Sequence, residues 1–144
     1  MTNMLSYLDE NEQLRNTLLR LHGSARTELR TILKGLLKGI FRKLRPEDMR
    51  EAFIAVSPGQ GRRMDQLIID HQCRHIVEFG TSFVISTLYL AAGAKMTGGK
   101  VITTEILHDK MAIAKKHFTE ASVADVSIRD LAMLSQHFRM FRQE

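Results

Sequence analysis

Tryptophan is absent from this chain, tyrosine and proline occur twice each, and cysteine once. The lone Cys73 excludes an internal disulfide framework and points to a reducing compartment. So few aromatic residues leave no stacking platform interleaved with basic side chains, and no specific nucleic-acid function is expected. No apolar run reaches the ~18 residues needed to span a bilayer. The opening stretch, MTNMLSYLDENEQ, is acidic and has no apolar h-region, so a signal peptide is not expected and a cytoplasmic location is. Internal repeats and low-complexity segments are also missing.

What remains is ordinary for a soluble domain: 144 residues, 44% hydrophobic and 26% charged, enough for a sizeable core. The net charge of +5 is unevenly placed. Arg20, Arg26, Arg30, Lys34, Lys38, Arg42, Lys43 and Arg45 face only Glu28 across residues 20–45. Such a run could attract an acidic partner, nucleic acid or an anionic membrane, but a solvated helix face is the simpler explanation. Residues 4–21 read as a helix with Leu5, Leu8, Leu14, Leu18 and Leu21 on one side and Gly23 as its stop. Residues 25–44 read as a second helix, its apolar stripe running from Leu29 and Ile32 to Phe41 and Leu44. A basic amphipathic helix can lie on a membrane. A docking arm, for a partner subunit or for the domain that follows, is the better reading. Residues 1–45 are therefore expected to form a helical arm and 46–144 the main domain.

Pro46, followed by Glu47 and Asp48, suits the first turn of a third helix. In SPGQG, residues 57–61, Ser57 can cap, Pro58 fits the first helical position and Gln60 can reach back, so a helix is expected over 58–71. From residue 75 strands and helices alternate. HIVEFG is a strand, VISTLYLAAGA a helix, KMTGGK a turn, KVITTE a strand, DKMAIAKKHFTEA a helix and ADVSI a third strand. That alternation predicts an α/β fold with three parallel strands in the order 3-2-1, half of a doubly wound sheet. Residues 131–144 read as a helix with Leu131, Leu134, Phe138 and Phe141 on one side.

The chemistry concentrates in Glu78-x-Gly80-x-Ser82, with Ser86 a turn later and Glu105 at the end of the second strand. Gly80 permits a sharp turn and close approach of a ligand. The hydroxyls of Ser82 and Ser86 stand beside a helix N-terminus. Glu105 is placed to accept hydrogen bonds from both hydroxyls of a ribose. A dinucleotide fingerprint would need glycine where Ser82 and Ile85 stand. His71 and His75 flank Cys73, which invites a metal reading, but a helix ends and a strand begins there, so no metal site is expected. No local pattern argues for a serine or cysteine nucleophile.

Residues 56–128 resemble the catechol O-methyltransferase-like family of class I S-adenosylmethionine-dependent methyltransferases. VSPGQGRRMDQLI is similar to the family's pre-strand helix and its leading loop, IVEFGTSFVISTLYLA to its first cofactor motif and GKVITTEI to its second. AIAKKHFTEASVADVSI is similar to the helix and strand that follow. The resemblance implies a partial Rossmann-like fold and methyl transfer from S-adenosylmethionine to a hydroxyl of a small molecule. It implies that Val56 packs near the cofactor's methionine end, that Glu78 sits under the loop near the amino group, and that Gly80 and Ser82 approach by backbone. It places Ser86 on the carboxylate, Glu105 on the ribose and Ile106 against the adenine.

Two positions depart from the family pattern: Val84 and Ser122 stand where it has glycine. After SIR the family expects an acidic run, and only Asp130 is a partial match. The family's later strands, which carry the acids for a divalent metal and for the acceptor, have no counterpart here. The alternative is accordingly a truncated, catalytically inactive relative serving as a cofactor-binding or interaction module. An apolar first strand lacking a partner on one edge is expected to promote self-association.

Overall fold

The computed structural model describes residues 6–38, 55–81, 84–105 and 108–126; the side chains of 28–38, 108 and 109 lie outside the description. Ser6 caps a short helix, α1 (Tyr7–Glu10), by accepting a hydrogen bond from the Leu8 amide. Asn11 then ends α1 through its own amide and starts α2 (Glu12–Lys38), its Oδ1 accepting from the Leu14 amide at 2.8 Å. The expected single helix over 4–21 is thus divided at Asn11, a residue suited to capping.

Gly23, expected as a stop, lies inside α2. Glycine in a helix costs about 1 kcal/mol relative to alanine. Leu14, Leu18, Leu21 and Ala25 on either side of it are buried. Each buried leucine contributes roughly 1.5–3 kcal/mol, so packing prevails over propensity. The nearby hydroxyls do not interrupt the helix either: Ser24 donates back to the Arg20 carbonyl and Thr27 to that of Gly23.

Helix α3 (Pro58–Asp70) begins with the expected reciprocal capping box, Ser57 with Gln60, and Pro58 in its first turn. It packs on α4 (Ile85–Thr97) through two glycines. A Cβ on Gly61 would stand 2.2 Å from the Tyr89 ring, and one on Gly93 2.8 Å from Ile68. Both contacts require the bare backbone.

Two parallel strands, β1 (His75–Phe79) and β2 (Lys100–Thr104), pair from His75↔Lys100 to Phe79↔Thr104, with α4 as the crossover. Helix α4 runs through Thr97, so the expected KMTGGK turn shrinks to Gly98, left-handed at φ +64°, and Gly99. After β2 comes α5 (His108–Glu120). The third strand expected at 124–128 is not seen among the described residues. The chain there is still closing off α5: the Val123 amide bonds the Phe118 carbonyl, Val126 bonds Val123, and Asp125 pairs with Lys95. Residues 127 and 128 lie outside the described residues, as do the helices expected at Pro46 and over 131–144.

Leu8, Leu14, Leu18 and Leu21 share one core cluster with Ile68, Leu88, Val101 and Phe118. The first half of α2 is therefore packed on α4 and α5, and Arg20 reaches Glu120 across the α2–α5 contact. The buried stripe expected beyond residue 28 falls on side chains outside the description. On β1, Ile76 turns into the core, while Val77 is 56% and Phe79 79% exposed on the other face. Among the described residues, no helix is long and apolar enough to cross a membrane.

Candidate functional site

The carboxyl ends of β1 and β2 carry the site. Phe79 pairs with Thr104, so Gly80 and Glu105 follow side by side on adjacent parallel strands. Gly80 is exposed and left-handed at φ +88°, with open space where a Cβ would be. Its amide donates to Thr104 Oγ1 at 3.1 Å, and the Thr81 amide donates to the Thr104 carbonyl at 2.8 Å. The turn is thereby tied to the end of the neighbouring strand.

Beneath the turn, Glu78 accepts three hydroxyls. Ser86 Oγ donates to Oε1 at 2.6 Å, while Thr87 and Thr103 donate to Oε2 at 2.5 and 2.7 Å. Thr81 Oγ1 stands 2.7 Å from Thr103 Oγ1 and extends the network to the loop. Glu78 thus fastens the first turn of α4 to both strands. Its Oε1 keeps capacity for one further donor, because a carboxylate oxygen accepts about two hydrogen bonds.

Val84 opens α4 in a left-handed conformation, φ +75° and ψ −16°, with no side-chain cap. Its side chain is buried in the core, 1% exposed. It therefore packs into the core cluster and does not stand in the open space of the loop. Ser122 is left-handed as well, at φ +55°. Both positions where the sequence lacks the resembled family's glycine have the backbone that glycine favours.

No family model matches this sequence, and no curated protein matches it. Solved structures do. An O-methyltransferase from Bacillus cereus in complex with SAH is 24% identical over 82% of this chain and 49% of its own, with a TM-score of 0.53. Cofactor-bound Rv0187 from MTB is 28% identical over 72% of this chain and 51% of its own, TM-score 0.53. The SAH-bound methyltransferase PaMTH1 from Podospora anserina is 20% identical over 78% of this chain and 39% of its own, TM-score 0.55. This chain has the class I O-methyltransferase fold over part of its length.

The chain spans about half the length of the solved methyltransferases it matches, or less. Of the residues assigned to the site from sequence, the fold brings together Glu78, Gly80, Ser86 and Glu105 around the ends of β1 and β2. Val56 is half-buried against the core just ahead of the Ser57 cap. Ser82 and Ile106 lie outside the described residues. The sequence reading missed Thr81, Thr87, Thr103 and Thr104, which hold the turn in this methyltransferase fold. Their signal was present in the TT pair ending β2 and in a threonine nine residues after Glu78. His71 caps α3 and His75 opens β1, both exposed. Among the described residues, no three His, Cys, Asp or Glu side chains gather into a metal-binding group.

Proposed function

We propose that this chain binds S-adenosylmethionine at the ends of β1 and β2 and supplies the donor half of an O-methyltransferase acting on a hydroxyl of a small molecule. The observation that carries the proposal is the placement of Gly80 beside Glu105, above the hydroxyl-caged Glu78. The residues present fit the cofactor's polar groups. Exposed Gly80 lets a ligand approach the backbone. Glu78 Oε1 has room for one more donor, such as an ammonium. Glu105 offers a carboxylate to a ribose. Val56, Ser82, Ser86 and Ile106 complete the set expected to line the site.

Bound S-adenosylmethionine supplies an electrophilic methyl on a sulfonium. The protein's part is to position that donor and to keep the loop rigid, since methyl transfer depends largely on alignment. Residues 1–45 serve in this reading as a docking arm and 46–144 as the donor-binding domain, working in the cytoplasm. Self-association through the strand edge is a further part of the proposal.

Val84 favours a second reading, a relative that binds cofactor weakly and acts as an interaction module. Its side chain strains the loop in which glycine would be relaxed. Calorimetric titration separates the two. Saturable binding of S-adenosylmethionine, weakened about 10–100-fold by Glu105→Ala, is expected from the loss of a charge-assisted contact. No binding at millimolar ligand rejects the cofactor site. A stronger response to NAD would move the site to the dinucleotide class.

A further inference from the structure

A groove of about 250 Å³ lies between α2, α3 and α4, and none of its walls belongs to the Glu78 cage. We propose that this groove is a second ligand site, for a small molecule carrying an oxyanion on an apolar body. Its volume is just under the ~300 Å³ at which small-molecule pockets usually begin, which sets the size at a single ring or a short aliphatic chain.

The groove's polarity is one-sided. Arg15, Arg26 and Arg62 all line it, and no acid does. Asp9 holds two of the three guanidiniums nearby: its carboxylate pairs with Arg62 at 3.2 Å, and its carbonyl accepts from Arg15 at 3.5 Å. Arg26 has no carboxylate partner among the described residues. Arginine forks suit carboxylate and phosphate oxygens. The apolar walls come from Leu8, Leu18, Leu19 and Pro58, with Leu19 66% exposed.

Two glycines shape the cavity for different reasons. Gly61 is needed for packing, because its bare backbone lets the Tyr89 ring lie on α3. That seating brings the Tyr89 hydroxyl to 3.0 Å from His22 Nε2, where the pair offers a polar contact to a bound group. Gly23 is not needed for packing: nothing stands within 4 Å of where its Cβ would be. It weakens α2, and its effect is to leave the groove wall open. Burial, and then the Arg26 charge, lowers the His22 pKa from its usual 6.5, which fits a groove of positive potential.

The test uses the full chain and four probes of one size: benzoate, phenyl phosphate, benzyl alcohol and benzylamine, followed by calorimetry. Either anion is expected to bind saturably and at least about tenfold more tightly than the alcohol, with the amine weakest. The tighter of the two anions identifies carboxylate or phosphate as the natural group. Arg26→Gln is expected to weaken the anion about tenfold, as the loss of one charged hydrogen bond does. Gly23→Leu fills the wall while improving the helix, so it should abolish binding and leave the melting temperature unchanged or higher. Equal affinity for acid and alcohol overturns the proposal. So does undiminished binding in Gly23→Leu, or no binding at millimolar anion. Binding of S-adenosylmethionine, measured in parallel, is expected to survive both substitutions, which keeps this site's failure distinct from that of the cofactor loop.

Discussion

A valine held at φ +75° brings its Cβ against the following carbonyl, at a cost of about 1–2 kcal/mol. The Val84 side chain is also fully buried, which returns roughly 1.5–3 kcal/mol. The two terms nearly cancel, and two substitutions separate them. Val84→Ala keeps the strain and loses most of the burial, so it should destabilise by about 1–2 kcal/mol. Val84→Gly loses the burial and relieves the strain, so it should lie within about 1 kcal/mol of wild type. Glycine outranking alanine in urea unfolding is the opposite of the usual order at a helix position. The usual order would show that the left-handed backbone is not strained. If S-adenosylmethionine binding also tightens in Val84→Gly, the valine is what weakens the site. Ser122, at φ +55°, gives a simpler case. Ser122→Gly should gain roughly 0.5–1 kcal/mol, reduced by loss of the Ser122 hydroxyl bond to Gln13.

The elements that hold the loop are joined by threonine hydroxyls. Thr103 is fully buried and serves both Glu78 and Thr81. Thr103→Val preserves shape but takes one donor from Glu78 and leaves Thr81 fewer partners. It should cost about 1–3 kcal/mol and speed amide exchange at the start of α4. Thr119→Val, whose hydroxyl makes an exposed bond to the Lys115 carbonyl, should be near neutral. The α2–α4 contact has a pH signature. Burial, and then Arg26, lowers the His22 pKa below 6.5 in the folded state. The unfolded chain therefore takes up that proton first. The contribution of His22 is complete above pH 6.5 and is lost as the pH falls through 6.5 and on through the folded value. Denaturation midpoints should fall between about pH 7.5 and 5.5, and fall less in His22→Gln. Asp65 has the opposite sign. Burial raises its pKa above 3.8, so its contribution is greatest at low pH and declines as the pH rises through the folded value.

These elements also show what a sequence reveals. The capping box at Ser57, the strand–turn–helix at Gly80 and the second strand were legible because local chemistry dictates them. The passage of α2 through Gly23 was not, because leucine burial against α4 and α5 decides it. The role of Asn11 was hidden because the leucines on either side of it fall on one loose apolar face. At the site, Glu78, Gly80 and Glu105 were legible from spacing along parallel strands. The threonine cage was not, because it depends on which face of β2 meets α4. The valine at 84 was legible as a departure from a family pattern, but its burial was visible only in three dimensions.

At the scale of the molecule, the described helices leave one face of β1 partly uncovered. β1 pairs with β2 along one edge, and no strand pairs with its other edge among the described residues. Val77 and Phe79 add two large apolar side chains to the exposed face of the same strand. A strand with a free hydrogen-bonding edge and an apolar face is a template for another copy of itself. The chain is therefore expected to associate with rising concentration in sedimentation velocity. Val77→Lys should weaken that association, because a lysine on an edge strand must be desolvated when a second strand docks. Its cost to the folded chain should be under about 1 kcal/mol, since Val77 is already half exposed and the long lysine stem retains some contact. An exposed charge on α5, Ile113→Lys, controls for net charge alone, because Ile113 is similarly exposed and lies away from the sheet edge. Equal effects of the two lysines would assign the association to general repulsion rather than to β1. A monomer at every concentration, with the β1 amides exchanging freely, would rule out strand-mediated association altogether.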